Sequence, residues 1–209
     1  MSRLARAHLA AADPVLGALI REVGRCTLKP ERAREPYEAL ISAVAHQQLH
    51  ARAAEAMLGR LRALTAAPVP APGHLLSLSD EALRGCGFSA AKAAALRDIA
   101  RRTLDGTVPT RRAAARMSDA ALIERLCTLR GIGRWTVEML LIFTLGRPDV
   151  FPVDDFGVRE GYRLIHGLDA QPKPRAFAAI GEVYAPYRST AAWYLWRAAD
   201  RAKKITPPA

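Results

Sequence analysis

The sequence contains few cysteines and no long hydrophobic run. Cys26, Cys86 and Cys127 are scattered through 209 residues without CxxC spacing, so neither a disulfide framework nor a cysteine-ligated zinc or iron–sulfur cluster is predicted. This cysteine usage fits a reducing compartment. Polar and small residues interrupt the stretch 4–19, and no apolar run approaches the roughly 18 residues of a membrane span. We therefore expect a soluble, cytoplasmic protein with no signal peptide and no membrane partner.

Acidic residues are scarce relative to basic ones. The chain has 31 Lys and Arg against 20 Asp and Glu, a formal net charge of +11 and a pI of about 10.3. Because cationic side chains that neutralise phosphates release counterions, this balance favours a polyanionic partner, and nucleic acid is the leading candidate. Arg greatly outnumbers Lys, so a compositional bias towards Arg and Ala is the alternative explanation. The 50% hydrophobic content suffices for one domain or two small lobes.

Strict alternation of polar and apolar residues, typical of strands, is also absent. Apolar residues recur three and four positions apart, which predicts an all-α fold. Asp13-Pro14 begins a helix to Val23, and Pro36 begins a long helix over 37–64. Ser79, Ser89 and Ser118 each precede a further helix, and Asp105-Gly106 forms a turn. Later helices are predicted over 134–145, 156–165, 175–184 and 189–203, and the Pro-rich stretch 66–73 is a connection.

The segment 129–136, LRGIGRWT, places two glycines one residue apart between amphipathic helices. Glycines permit a tight turn and a close approach to a ligand. The N–H groups of this turn would lie at the positive end of the next helix, which suits a phosphate oxygen. The alternative is an ordinary αα-hairpin in which the glycines only cap a helix. The predicted phosphate-binding hairpin comprises Arg130, Gly131, Ile132, Gly133, Arg134 and Thr136.

An acidic pair, Asp154-Asp155, lies about twenty residues beyond the hairpin, at the predicted start of a helix. A carboxylate on a phosphate-binding surface repels its ligand, so its presence needs an explanation. One explanation is that an aspartate caps the helix. The other is that an ionised aspartate faces the sugar of an extruded nucleotide. Cleavage of the C1′–N bond builds positive charge on the sugar, which a fixed anion stabilises while it orients or deprotonates a water molecule.

These segments together resemble the 3-methyladenine DNA glycosylase II family of the helix-hairpin-helix DNA glycosylase superfamily. The similarity covers, in order, residues 41–54, 87–100, 129–138, 151–159 and 187–197. It implies a two-lobed helical fold, with lobe one at about 40–133 and lobe two at about 1–39 plus 134–209. It also implies that the extra N-terminal β domain of larger bacterial members is lacking. The implied function is excision of purines alkylated at N3 or N7 from double-stranded DNA in base excision repair, by a nucleoid-associated monomer.

The resemblance also implies how the chemistry is divided among residues. Asp155 would be the catalytic carboxylate, with Asp154 as its capping or orienting neighbour. Trp135 stands where bifunctional relatives carry a lysine nucleophile, so the reaction should stop at base hydrolysis without strand cleavage. No cofactor is required. The backbone carbonyls of Cys127, Leu129 and Ile132 would hold a structural Na⁺ or K⁺.

Recognition of the base is assigned in the same way. Electron-rich aromatics would select a cationic base by stacking and cation–π attraction. Pocket residues would be Trp135, Trp196 and Met139, where Met139 replaces a tyrosine of one branch and leaves the lesion range open. Trp196 could instead be a core aromatic, as could the supporting residues Trp193 and Tyr187.

A wedge residue would fill the gap that an extruded base leaves in the duplex. Gln48 matches the wedge of the family best, and Leu49 is the second candidate. His46 and His50 flank them, and we expect these histidines to be exposed or hydrogen-bonded rather than catalytic.

Three other functions stay open at this stage. The chain could be a non-catalytic helix-hairpin-helix module, or a basic structural all-α protein. It could also be a glycosylase for oxidised, mismatched, deaminated or etheno bases. The absent lysine and the absent four-cysteine cluster disfavour an enzyme of the endonuclease III type.

Overall fold

The computed structural model describes residues 3–65 and 67–205, and these ranges contain helices and no β-strand. The all-α fold class is therefore confirmed. The α-helices are α1 (Arg3–Ala12), α2 (Pro14–Val23), α3 (Pro36–His46), α4 (Ala51–Thr65), α5 (Pro72–Ser77), α6 (Asp80–Gly85), α7 (Ala90–Leu104), α8 (Arg111–Ala114), α9 (Asp119–Leu126), α10 (Arg134–Met139), α11 (Phe156–His166), α12 (Pro174–Gly181) and α13 (Arg188–Ile205). A π-helix covers Leu140–Leu145, and a 3₁₀ turn covers Glu182–Tyr184. No described helix is both long and apolar enough to span a bilayer.

The helices pack into two compact units. We call Glu31–Leu145 the central unit, and Met1–Pro30 together with Gly146–Ala209 the terminal unit. From the sequence, lobe one was expected at about 40–133. The segments 31–39 and 134–145 were therefore expected in lobe two, whereas in the structure they belong to the central unit. Packing explains the difference, because α3 contacts both α7 and the π-helix, and α9 contacts α10.

The central unit is organised around α7. Helices α3, α5 and α6 all pack against it. Their contacts bury aliphatic side chains completely, including Leu40, Leu75, Leu83 and Leu96. Helix α9 packs against α10, so the intervening residues 127–133 form a short hairpin.

In the terminal unit, α13 packs against α11 and α2, and α1 packs against α2. Helices α11 and α13 are in close backbone contact at Gly161, where any Cβ atom would collide with the backbone carbonyl of Leu195. The core around this crossing contains the aromatic side chains Phe177, Tyr184 and Tyr194, all buried.

Several predicted helix starts are confirmed by capping hydrogen bonds. Oδ1 of Asp13 accepts the N–H groups of the two residues that follow Pro14, each at 3.0 Å. The hydroxyls of Ser79, Ser89 and Ser118 each accept the N–H three residues later, at 3.1 to 3.3 Å. These polar side chains satisfy N–H groups that a helix cannot pair internally.

Other predicted elements are wrong in detail. The helix expected over 37–64 is two helices, because Gln48 adopts a φ of +56°, a left-handed conformation that ends an α-helix. The helix expected over 134–145 changes to a π-helix at Leu140. The connection expected over 66–73 includes Ala66, which lies outside the described residues, and it ends where α5 begins at Pro72. Helices α1, α5 and α8 were not predicted at all.

The helices predicted after the acidic pair are each confirmed within a few residues. Helix α11 ends one residue later than expected, and the helix expected over 175–184 becomes α12 followed by the 3₁₀ turn. Helix α13 begins one residue earlier and continues to Ile205.

Candidate active site

Backbone hydrogen bonds close the hairpin between α9 and α10. The N–H of Leu129 donates to the carbonyl of Leu126 at 3.1 Å, and the N–H of Ile132 donates to that of Leu129 at 3.2 Å. Gly131 has a φ of +75°, which glycine adopts without steric cost. Both glycines are exposed, whereas Leu129 and Ile132 are buried. The aliphatic side chains thus anchor the hairpin and leave the glycine backbone on the surface.

The side chains of the hairpin divide into exposed arginines and one buried hydroxyl. Arg130 and Arg134 are exposed, and Nε of Arg134 donates to Oε1 of Glu138 at 2.9 Å. Thr136 is only 6% exposed. The N–H of Arg130 donates to Oδ2 of Asp98, on α7, at 2.9 Å. An acidic side chain of α7 therefore holds the hairpin in place, a contact that the sequence did not predict.

A cavity of about 900 Å³ lies within the central unit beside this hairpin. Its volume falls in the range of small-molecule sites. Its lining includes Gln47, Gln48, Lys92, Trp135, Met139 and Phe143. Trp135 is 45% exposed and Phe143 is 38% exposed, so aromatic surface is accessible there. The structure therefore brings together the predicted residues Trp135, Met139 and Gln48.

Phe143 is a cavity residue that sequence reasoning missed. An α-helix that continued from α10 would return Ile142 to the face of Trp135, since that face repeats about every 3.6 residues. The π-helix has i→i+5 hydrogen bonds and more residues in each turn. As a result Ile142 is buried and Phe143 lines the cavity. π-Helices are rare, and no sequence pattern used above predicts where an α-helix changes to one.

The turn between α3 and α4 carries both predicted wedge residues. Gln48 and Leu49 are exposed, and Gln48 is the non-glycine residue with positive φ among those described. Nδ1 of His46 donates a hydrogen bond to the carbonyl of Ser42 at 2.9 Å, and His50 is exposed. The expectation that these histidines are hydrogen-bonded or exposed is confirmed.

The acidic pair lies in the terminal unit, and its second member caps α11. Oδ1 of Asp155 accepts the N–H of Val158 at 2.8 Å. The same oxygen accepts the indole N–H of Trp196 at 2.8 Å, and Asp155 is only 8% exposed. Asp154 is exposed and precedes the cap. The capping role expected for Asp154 is thus wrong, because that position lies one residue outside the helix start.

Trp196 belongs to the terminal unit, whereas Trp135 and Met139 belong to the central unit. Trp196 is half-buried against the core of its unit. A Cβ atom on Gly157 would lie 2.9 Å from Cδ1 of Trp196 and 3.2 Å from Oδ1 of Asp155. The absence of a side chain at Gly157 therefore leaves the space in which the indole N–H of Trp196 reaches Asp155. Trp193 is a core aromatic, 8% exposed, with the guanidinium of Arg197 5.5 Å above its ring.

The carbonyl groups expected to hold a monovalent cation follow the last turn of α9. Cys127 caps this helix at its C-terminal end, where carbonyls lack helical partners. A hard cation prefers oxygen ligands, so the backbone carbonyl of Cys127 rather than its thiol is the donor that such a cation would use. Among the described residues, no three His, Cys, Asp or Glu side chains cluster as a metal site.

Comparisons with known proteins give a consistent result. A family model described as HhH-GPD superfamily base excision DNA repair protein matches residues 41–186. DNA-3-methyladenine glycosylase 1 of Schizosaccharomyces pombe is 44% identical, over 97% of this chain and 91% of that protein. The structure of S. pombe 3-methyladenine DNA glycosylase in complex with abasic DNA is 44% identical, with a TM-score of 0.83 over 92% of this chain and 95% of that one. DNA-3-methyladenine glycosidase of Bacillus halodurans has a TM-score of 0.85 and 31% identity, over 94% and 89% of the two chains.

Proposed function

This chain belongs to the HhH-GPD superfamily of base excision DNA repair proteins, and we propose that it is a monofunctional DNA glycosylase for alkylated purines. The observation that carries this proposal is Asp155, a buried carboxylate oriented by two N–H donors on a chain of net charge +11. Burial of an ionised carboxylate costs free energy, and a carboxylate also repels the phosphates of DNA. A role in the reaction explains why the chain keeps one there. The names of the relatives, which are glycosylases for 3-methyladenine, support the substrate class.

The proposed chemistry is hydrolysis of the C1′–N bond. A purine alkylated at N3 or N7 carries a positive charge, so the electron pair of the breaking bond neutralises the departing base and little acid catalysis is required. The sugar acquires oxocarbenium character. Asp155 stabilises this charge and takes a proton from the water molecule that attacks C1′. The products are the free base and an abasic site.

Recognition of the base depends on aromatic surface. In the central cavity, Trp135 and Phe143 expose ring surface, with Met139 beside them. A cationic purine gains about 0.5 to 2 kcal/mol from each cation–π contact. Trp196 holds Asp155 and is also a candidate for stacking against the base.

The duplex is held by the hairpin and opened by the wedge turn. The exposed backbone of Gly131 and Gly133, with Arg130 and Arg134, binds phosphate oxygens of double-stranded DNA. The backbone carbonyls of Cys127, Leu129 and Ile132 would hold a structural Na⁺ or K⁺, whose charge would favour phosphate binding at the hairpin. Gln48 enters the gap left by the extruded base, with Leu49 as the alternative. The protein acts as a monomer.

Trp135 limits the reaction to its first step. A β-lyase forms a Schiff base between an amine of the enzyme and C1′ of the sugar. An indole has no such nucleophile. We therefore expect an intact strand after base release, and no covalent adduct with abasic DNA in the presence of borohydride.

The test is incubation with randomly methylated DNA and chromatography of the released bases. Wild-type protein should release 3-methyladenine or 7-methylguanine. Asp155→Asn should lower release at least 100-fold and retain DNA binding. Asp154→Asn removes the same charge from the exposed neighbour and should retain most activity.

Two outcomes would contradict the proposal. Binding without release by the wild type would indicate a non-catalytic module or a glycosylase for other bases. DNA affinity that does not fall as salt rises would rule out the phosphate contacts of the hairpin, because counterion release makes such binding steeply salt-dependent.

A further inference from the structure

The wedge turn, residues 47–50, is closed by a local backbone bond from the N–H of Leu49 to the carbonyl of His46 at 3.3 Å, and it is also held by bonds from neighbouring elements. Gln48 lies in the left-handed region with a φ of +56°, a conformation that a non-glycine residue retains only where its surroundings enforce it. The exposed side chains of Gln48 and Leu49 contribute little to such enforcement. Beyond this local bond, the groups that hold the conformation should be found on neighbouring elements.

Lys92, in the first turn of α7, provides one of these groups. Its Nζ donates to the carbonyl of Ala45 at 2.9 Å and to the carbonyl of Gln47 at 3.0 Å. Both carbonyls lie at the end of α3, where helical partners are missing and a cation is favoured. Lys92 is half-buried, and this burial lowers the pKa of its ammonium group. The charge of Lys92 is thus directed at the protein backbone.

Two further hydrogen bonds link the hairpin to the wedge turn and to α7, so that each of these three elements is bonded to the other two. Nε2 of Gln47 donates to the carbonyl of Gly131 in the hairpin at 2.8 Å. The hairpin is in turn held on α7 through Asp98, which accepts the N–H of Arg130. Helix α7 therefore holds both the wedge turn and the hairpin, and Gln47 joins the turn to the hairpin directly. All three elements belong to the central unit.

We infer that Lys92 is a positioning residue for base extrusion, which holds the wedge turn in its left-handed conformation before DNA binds. The inference rests on the proposed glycosylase function. A wedge that is ordered in advance does not have to be ordered while the duplex opens, so the cost of extrusion falls. Loss of this order acts on extrusion and excision, since misplacement of about 1 Å can lower a rate about 100-fold.

A simpler role for Lys92 would be contact with a DNA phosphate, and the two roles differ in salt dependence. Removal of a phosphate-binding lysine weakens binding to all sequences and lowers the slope of log affinity against log salt by about 1. Removal of a lysine that binds backbone carbonyls leaves that slope unchanged. The slope therefore separates positioning from phosphate binding.

The experiment compares Lys92→Met, which keeps the side-chain length without the charge, with Lys92→Arg, which keeps the charge and the donors. Arg97→Met is the matched control. Arg97 lies on the same helix and also binds carbonyls, those of Leu76 and Leu78, but it holds the segment between α5 and α6. Base extrusion is followed by the fluorescence of 2-aminopurine beside the lesion, and excision by single-turnover kinetics. Affinity for undamaged DNA is measured at several salt concentrations, and thermal unfolding is measured for each variant.

We expect Lys92→Met to lower extrusion and excision about 10- to 100-fold, with affinity for undamaged DNA within about threefold of wild type and the same salt slope. Lys92→Arg should recover most of both signals. Arg97→Met should lose thermal stability and keep its excision rate. Wild-type excision by Lys92→Met, a lower salt slope, or an equal loss in Arg97→Met would each overturn the inference. If the wild type releases no base and its extrusion still depends on Lys92, the proposed function fails and the inference stands.

Discussion

The indole N–H of Trp196 and the backbone N–H of Val158 donate to the same oxygen of Asp155, each at 2.8 Å. The two donors come from α13 and α11, which pack against each other in the terminal unit. Because a carboxylate is planar, two donors on one oxygen also restrict the direction of the other. Asp155 therefore serves both as the cap of α11 and as an oriented anion, and the two explanations that the sequence left open apply to one residue.

Replacement of Trp196 by Phe keeps an aromatic ring and removes the N–H donor. A hydrogen bond to a charged group contributes about 1.5 to 3 kcal/mol, and each 1.4 kcal/mol is about tenfold in rate. We expect single-turnover excision to fall about 10- to 100-fold, with DNA affinity little changed. Trp193→Phe is the control, since its ring packs in the core and its loss should affect thermal unfolding. Equal losses of activity in both variants would indicate general destabilisation.

Gly157→Ala should lower activity without a matching loss of stability. A Cβ atom there would lie 2.9 Å from Cδ1 of Trp196 and 3.2 Å from Oδ1 of Asp155, so the indole must shift and its hydrogen bond must lengthen. Alanine in a helix is about 1 kcal/mol more favourable than glycine, which offsets the crowding. Gly59→Ala in α4, with no atom near its new methyl group, should raise the unfolding midpoint and leave excision unchanged. Normal excision by Gly157→Ala would contradict the proposed use of this space.

Features that depend on local chemistry could be predicted from the sequence. Serine and aspartate caps marked four helix starts, because each cap bonds to an N–H two or three residues away. The family resemblance is confirmed by a match to residues 41–186. The acidic pair 154–155 and the GxG turn were singled out because a carboxylate beside a phosphate-binding turn needs an explanation, and the family resemblance then selected Asp155 as the catalytic candidate.

Features that depend on contacts distant in sequence could not be predicted. The bond between Trp196 and Asp155 joins residues 41 positions apart, and Lys92 reaches carbonyls 45 and 47 positions away. The left-handed conformation in the turn after α3 is adopted by Gln48, so the glycine that usually indicates such a conformation is missing from the sequence there. The boundaries of the two units depend on how α3 and the π-helix pack, which hydrophobic periodicity does not report. The missed residues are therefore those whose partners lie on other helices.

Gly161→Ala should destabilise the terminal unit strongly. The new methyl group would collide with the carbonyl of Leu195 in α13, and backbone atoms cannot move aside as a flexible side chain can. Overpacking of this kind costs about 1 to 3 kcal/mol and occasionally more. We expect urea unfolding to show a clear loss in the free energy of unfolding. Gly59→Ala is the control, because its new methyl group meets no atom and it therefore reports the effect of helix propensity alone. A stability equal to wild type would mean that α11 and α13 separate easily at this crossing.

A buried cluster around Asp13 predicts how stability depends on pH. Oδ2 of Asp13 accepts the hydroxyl of Tyr184 at 2.7 Å and lies 3.1 Å from Nε2 of His166, while Oδ1 caps α2. Burial alone would raise the pKa of Asp13. The hydrogen bonds from Leu16 and Tyr184 and the attraction of His166 outweigh it, so the pKa lies below its ordinary value of 3.8.

The direction of this pKa shift determines the sign of the pH effect. A carboxyl group whose pKa is lower in the folded state binds more protons when the chain unfolds. Its contribution to stability is therefore complete above pH about 4 and is lost as the pH falls through the folded pKa. Asp13→Asn should be less stable than wild type at pH 7, by roughly 1 to 3 kcal/mol, and this difference should shrink below pH 4. Urea unfolding from pH 3 to 7 measures it. Tyr184→Phe removes one donor, so the folded pKa of Asp13 should lie closer to its ordinary value, and this variant should lose less stability between pH 7 and pH 3 than wild type does. A difference between Asp13→Asn and wild type that stays constant to pH 3 would show that Asp13 keeps its ordinary pKa when the chain folds.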